Sequence, residues 1–331
     1  MKIFLAGDYH SNTGPAQVTN ILLHNMPVGT LYQKRNNKLL RIPEIIWNTF
    51  RADAIIYSGL SRQVILGLNI AHLLHKPVFY LMHGSIKHEG YINKENDTNV
   101  LHQEEYALAH ADYILAVSIP FEDWLKQQYP HYADKIYHLT NAVDWNLIDI
   151  PTPPPHRNPM QIMSIGGGMP RKNILSLCKA IDRIYSGNTN CNIRLLVAGA
   201  EGKDINTIKS YPFVDYIGMI PHEQILTYMQ QSALYIQNSV FETFGIAPLE
   251  ALLCGCNLLL SCHTGALSII PGALETDIIY DPYDIDEIAN KILTLLHNNN
   301  QKRLISSINF DTSSPSYRVY ELLTLINSLI T

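Results

Sequence analysis

The chain has 331 residues, 47% of them hydrophobic and 16% charged, with a formal net charge of -5. That length suits about two domains, and the composition is that of a folded chain with an ample core, not of a disordered one. The acidic balance argues against a dedicated nucleic-acid binder, which usually carries a strong basic excess. Five cysteines, all in the second half, and a Met1 that runs straight into KIFLAG with no secretory leader point to reduced thiols and a cytoplasmic setting. No apolar run reaches the ~18–20 residues that cross a bilayer, so membrane contact is expected to be peripheral if it exists.

Taken in chain order, short apolar runs recur, each followed by a helical pattern. KIFLAG, ADAIIYSG, PVFYLMHG, ADYILAVS and KIYHLTN fill the first half. MQIMSIGG, IRLLVAGA, VDYIG, ALYIQNS, NLLLS and DIIYD fill the second. Strands alternating with helices predict parallel sheets covered on both faces, and the lack of strict polar alternation agrees. Between the two series lies PTPPPHRNP, Pro151 to Pro159, with five prolines in nine residues. Such a stretch is a poor strand or helix and reads as a semi-stiff linker. The expected division is therefore an N-terminal domain over 1–150, the linker over 151–159, and a C-terminal domain over 160–312. A capped helix over 313–331 completes the chain, either a plain terminal helix or one that crosses back to the first domain.

Open α/β sheets bind ligands beyond the carboxyl ends of their strands, so a cleft between two such domains is the expected active site. Within FETFGIAPLEALLCGC, Glu242 and Glu250 stand eight positions apart in a nearly uncharged run. Glu242 falls in the loop after ALYIQNS. Pro248 is tolerated in a helical first turn, which places the helix start near Gly245 to Ala247 and Glu250 one turn in. If helical throughout, the pair spans at most about 12 Å. The amides of Thr243, Phe244 and Gly245 gather at a helix N-terminus, which favours anionic or hydroxyl-rich ligands. A carboxylate among Ile246, Leu249, Leu252 and Leu253 needs a partner, and vicinal hydroxyls would suit its two oxygens. The plainer alternative is a Glu250 that faces solvent and only favours the helix dipole.

This E-x7-E segment, with EALLCGCNLLLS after it, resembles the signature of retaining glycosyltransferases of the GT-B fold, family 4 (group 1) type. The resemblance implies two Rossmann-like domains facing across a cleft. It implies that Glu242 contacts the transferred sugar, that Glu250 holds ribose hydroxyls, and that the amides of Thr243, Phe244, Gly245 and Ile246 line the donor pocket. MSIGGGMPRKN is similar to the family's phosphate loop, with Lys172 and Asn173 matching; Gly167 stands where the family has arginine, and Arg171 is the candidate replacement. Gly14, in a loop after the first strand, resembles the glycine loop that faces donor phosphates and acceptor. His83 resembles the family's histidine near the donor sugar. The set of residues to which the resemblance assigns chemistry is thus Glu242, His83 and Lys172, with Gly14, Gly167, Arg171, Lys172, Thr243 to Ile246 and Glu250 binding the donor.

The activity implied by the resemblance is transfer of a sugar from a nucleotide diphosphate sugar, UDP- or GDP-linked, to a hydroxyl acceptor on a glycan, glycolipid or glycopeptide. Lys172, Arg171 and helix N-termini would stabilise the departing phosphate, with no cofactor and no metal expected. A non-catalytic GT-B-like partner subunit, for which Gly167 speaks, and a nucleotide-sugar hydrolase or epimerase stand as alternatives. Cys254 and Cys256 with Cys262 and His263 could suggest a metal site, but thiols at a buried helix end pack well. Asp284-Ile-Asp286 reads as a helix cap. Lys34 to Arg51, with five cations, one acid, Trp47 and Phe50, reads as a solvated helix or as a contact with anionic lipid at the inner membrane face.

Overall fold

The computed structural model describes the chain except residues 12, 36, 37, 96, 97, 149, 151, 188–191 and 331, and for residues 38, 39, 62, 63, 98–100 and 147 it describes the backbone alone. Pro151 of the proline-rich stretch, Cys191, Thr331 and residues 36 and 37 of the cationic segment thus lie outside the described residues. The chain divides into two compact units, one of Met1–Tyr91, Glu95–Trp145 and Phe310–Thr331, the other of Ile92–Lys94 and Asn146–Asn309.

The first unit is built on strands β1 (Ile3–Gly7), β2 (Leu31–Tyr32), β3 (Ala54–Ser58), β4 (Val78–Met82), β5 (Tyr113–Ala116) and β6 (Ile136–His138). They form one parallel sheet in the order β2-β1-β3-β4-β5-β6. Every residue of β3 and β4 is buried, as expected where helices cover both faces. The helix Gly14–Asn25 begins where Thr13 accepts a hydrogen bond from the Ala16 amide and Pro15 fills the first turn. The last helix, Pro315–Ile330, belongs to this unit and buries Val319, Leu322 and Ile326, and Tyr113 donates to the Leu329 carbonyl at 2.6 Å.

The second unit holds β7 (Asn158–Ile165), β8 (Arg194–Ala198), β9 (Val214–Gly218), β10 (Ser232–Gln237), β11 (Asn257–Ser261) and β12 (Ile278–Ile279), again all parallel, in the order β12-β11-β10-β7-β8-β9. β7 starts at Asn158, so Pro159 lies inside a strand, against the expectation that the whole proline-rich stretch stays outside the sheet. The sheet tolerates this proline because pairing with β8 starts only at Gln161 and the register against β10 shifts between Ser232 and Leu234. Ile162, Leu195, Leu234, Ile236 and Leu259 fill the core against the helices Ile174–Gly187 and Ile285–His297. The latter helix is capped by Asp284, which accepts from the Glu287 amide at 2.9 Å.

Strand order reverses beside β7 in the second unit, with β8 on one side and β10 on the other, and beside β1 in the first. Ligand sites of open α/β sheets form at such switch points. The loops that leave β7 and β10 carry most of the residues singled out in the sequence.

Candidate active site

After β7 the chain makes a glycine loop, a short 3-10 turn over Pro170–Lys172, and then the helix Ile174–Gly187. The amides of Gly166 and Gly167 both donate to the Ala198 carbonyl, at 2.8 and 2.9 Å, which folds the loop across the end of β8. Gly167 has φ +56, and a Cβ there would lie 1.8 Å from the Ala200 carbonyl oxygen. No side chain fits at that position on this backbone, so an arginine is excluded by geometry and not merely absent. The neighbouring turn carries two cations, Arg171 and Lys172, with side chains 18% and 15% exposed.

The loop after β10 is stitched to this turn and to the segment beyond β11. The Val240 amide donates to the Arg171 carbonyl at 2.9 Å, and the Glu242 amide to the His263 carbonyl at 3.1 Å. The Gly265 amide returns a bond to the Glu242 carbonyl at 2.9 Å, and the Ala266 amide one to the Phe244 carbonyl at 2.7 Å. Held this way, the Glu242 Oε2 accepts from Lys172 Nζ and from Arg171 Nη1 at 3.4 Å. Burial pushes the Glu242 carboxyl up, but the charges of Lys172 and Arg171 and their hydrogen bonds outweigh it and hold the group below its ordinary value. Glu242 is therefore an ionised carboxylate with two cations at hand, charges that an incoming phosphate could share.

Gly245 turns the chain into the helix Ala247–Leu253 with φ +87. A Cβ there would meet Gln237 Nε2 at 2.9 Å and Glu242 Cγ at 3.1 Å, so the missing side chain leaves room for the carboxylate stem. Phe244 is buried, while Thr243 and Ile246 are half-buried. Glu250 sits in the first turn of the helix with its side chain only 13% exposed. Its partner is a protein group: His222 Nε2 lies 2.7 Å from Glu250 Oε1. That bond raises the His222 pKa above the ordinary imidazole value, against partial burial.

The two remaining sequence candidates lie in the first unit. Gly14 opens the helix after β1, and His83 comes directly after β4. Two hydroxyls link His83 to the first turn of that helix: His83 Nε2 is 2.8 Å from Ser58 Oγ, which is 2.6 Å from Thr19 Oγ1, and Thr19 donates to the Pro15 carbonyl at 2.8 Å. Burial pushes the His83 imidazole down to about 4, so it is neutral at pH 7. His222, Ser58 and Thr19 were not singled out in the sequence. Ser58 ends a legible strand, but nothing in the spacing links it to His83 or links His222 to Glu250. Cys254 and Cys256 are buried thiols at a helix end, both pushed up to about 12 by burial. Among the described residues no group of three or more His, Cys, Asp or Glu side chains could hold a metal ion.

A family model for glycosyl transferases group 1 matches residues 150–308, a span that includes both β7 and β10 with their loops. The match is confined to that span, and the two parallel six-stranded sheets with their helices are the GT-B fold. The O-antigen chain mannosyltransferase B of Escherichia coli is 25% identical over 150 residues, 43% of this chain and 38% of that protein, so this chain spans less than half of that relative's length. The lipopolysaccharide outer core galactosyltransferase WaaB, in its apo form, shares the fold with a TM-score of 0.68 at 20% identity, over 100% of both chains. Anabaena HepE, solved in complex with UDP and glucose, does so with a TM-score of 0.66 at 15% identity, over 100% of this chain and 99% of HepE.

Proposed function

We propose that this protein transfers a sugar from a nucleotide diphosphate sugar to a hydroxyl acceptor, with retention at the anomeric carbon. The observation that carries this is the meeting of Lys172 and Arg171 with Glu242 at the switch point of the second sheet, inside the span matched by the family. The donor diphosphate would lie on the two cations, with the ribose on Glu250 and the sugar beside Glu242. The solved likeness to HepE with UDP favours a UDP-sugar, with a GDP-sugar next.

In the transfer, the bond from the anomeric carbon to the phosphate oxygen breaks, and the acceptor oxygen bonds to that carbon on the same face. The acceptor proton passes to the departing phosphate oxygen. Positive charge grows on the sugar ring and negative charge on the phosphate, and fixed cations aimed at the phosphate stabilise that state. Lys172 and Arg171 fill this role. Glu242 orients the sugar, and the Thr243 to Ile246 amides with Gly167 bound the donor. The acceptor would be a glycan, glycolipid or glycopeptide of surface-polysaccharide, lipid-linked saccharide or glycoprotein synthesis.

The test is a thermal-shift screen of UDP, GDP and ADP and their sugars, then product mass and anomeric configuration with a crude glycolipid or peptide acceptor. The expected result is one nucleotide sugar that raises the melting temperature, loses its effect in Glu250→Ala, and yields a retained anomer with EDTA present. Binding of no nucleotide sugar would favour a partner subunit. Fast stoichiometric hydrolysis without acceptor would favour a hydrolase.

A further inference from the structure

The helix Lys38–Arg51 of the first unit is amphipathic in the reverse of the usual sense. Its inward side carries Ile45, Asn48 and Thr49, which are 1%, 8% and 0% exposed. Its outward side carries Leu40, Ile42, Ile46, Trp47 and Phe50, with Trp47 60% and Phe50 62% exposed. Ile42, Ile46 and Phe50 succeed each other at four-residue spacing, so they form one stripe with Trp47 beside it. A helix that packs on a core normally turns its large apolar groups inward. This one turns a polar pair, Asn48 and Thr49, inward and leaves an aromatic and aliphatic ridge in solvent, which marks an interaction surface.

Charge identifies the partner. The segment Lys34 to Arg51 carries five cations and a single acid, Glu44. That acid is already engaged, since its two oxygens accept from the backbone amides of Lys34 at 2.9 Å and Arg35 at 3.0 Å. The same bonds hold the exposed Lys34 and Arg35 against the helix. Arg41 Nε donates to the Arg35 carbonyl at 2.6 Å, which adds a further cation to that end. At the other end, the Arg51 guanidinium stands 5.9 Å from the Trp47 ring centroid. An apolar ridge with cations at both ends is the chemistry of a helix lying in a lipid headgroup layer, apolar side chains in and cations on anionic headgroups. Among the described residues no helix is long and apolar enough to cross a membrane. A protein partner would need acids placed to match each end, whereas an anionic bilayer supplies them everywhere.

We infer that the Leu40–Phe50 ridge seats this protein on an anionic lipid surface. Sedimentation of the purified chain with vesicles tests it, using phosphatidylcholine alone and phosphatidylcholine with about a third phosphatidylglycerol. Binding to the anionic vesicles is expected to exceed that to the zwitterionic ones at least tenfold, and to fall by a similar factor in 0.5 M salt. The variant Ile46→Ser/Trp47→Ser/Phe50→Ser should keep its circular dichroism and lose at least tenfold in binding; were it not to fold, Trp47→Ser alone must lose at least threefold. Wild-type protein left in the supernatant with anionic vesicles would overturn the inference, as would undiminished binding by the variant. A concentration-dependent dimer that the variant abolishes, with no vesicle binding, would assign the ridge to a second copy of the chain instead.

Discussion

His222 Nε2 and Glu250 Oε1 meet at 2.7 Å, although 28 residues separate them, so the carboxylate that the sequence marks as a ribose anchor is already held by an imidazole. The bond raises the histidine's pKa, which fixes the sign of its effect on stability. A histidine whose folded value exceeds its unfolded one adds stability that is fully present below the ordinary value of 6.5 and is lost as pH rises through the raised value. His222→Ala should therefore lower the melting temperature most near pH 5.5 and hardly at all near pH 8.5. The imidazole is half-exposed, so the loss is at most about 1 kcal/mol. A melting-temperature deficit that grows with pH would show that the pair is not what sets the His222 charge.

The same contact competes with a ligand. If ribose hydroxyls take Glu250, they must share or displace the imidazole, and the protonated ring holds the carboxylate harder than the neutral one. Nucleotide affinity measured by calorimetry should then rise between pH 5.5 and 8 in the wild type, and the slope should flatten in His222→Ala. An equally steep slope in the variant would place the titrating group elsewhere.

Glu242 with Lys172 and Arg171 behaves oppositely with pH. A carboxyl held below its ordinary value contributes stability that is present above the unfolded pKa and is lost as pH falls through the folded one. Lys172→Ala leaves this carboxylate with Arg171 as its remaining cation among the contacts described, at a cost of about 3 kcal/mol in urea unfolding at pH 7. Adding Glu242→Gln should not recover that loss, because the Arg171 guanidinium then loses its carboxylate partner. On the proposed chemistry, Lys172→Ala also lowers turnover about a hundredfold or more. A single variant as stable as wild type would mean that the carboxylate relaxes into water.

Much of this arrangement was legible in the sequence, for identifiable reasons. Runs such as AIIYS and VFYLM are buried on both faces and so are apolar throughout, which marks them as strands of a covered parallel sheet. β2 has only two residues, Leu31 and Tyr32, too few to leave a pattern. Pro159 misled because a strand that starts before its neighbour does can carry a proline. Pro248 and the eight-residue spacing placed Glu242 and Glu250 within a residue or two of the observed loop and helix. His222 was illegible because its meeting with Glu250 depends on two helices side by side, not on spacing. Gly167 showed as a departure from a family pattern, but its cause is the Ala200 carbonyl, which only the folded loop brings near.

In the first unit, the buried Glu104 carboxylate accepts from Ser85 Oγ at 2.9 Å, in the loop that carries His83, and from the amides of Ile86 and Lys87, which open the helix Ile86–Asn93 after it. Burial is the larger influence and raises its pKa despite those bonds. Glu104→Ala strands the fully buried Ser85 hydroxyl and the Ile86 amide, so it should cost about 2 kcal/mol. Glu104→Gln keeps one acceptor oxygen and should cost roughly half as much. Urea unfolding of both variants checks the order, and an alanine variant no weaker than the glutamine one would mean that water replaces the carboxylate.

Gly167 gives the sharpest test of how the cation site is built. Restoring the arginine of the family pattern would seem to add a second phosphate ligand. On this backbone it does the reverse, since any Cβ at 167 lies 1.8 Å from the Ala200 oxygen and φ is +56. Forcing a side chain there combines left-handed strain with a backbone clash and should cost about 3 kcal/mol or more. Gly167→Ala should destabilise nearly as much as Gly167→Arg, because the clash begins at Cβ and not at the guanidinium. Arg171→Ala, by contrast, should leave the loop fold intact, with nucleotide binding weakened. If Gly167→Arg instead folded normally and bound nucleotide more tightly, the loop would be free to adopt a second path, and Arg171 would be no substitute for the missing cation.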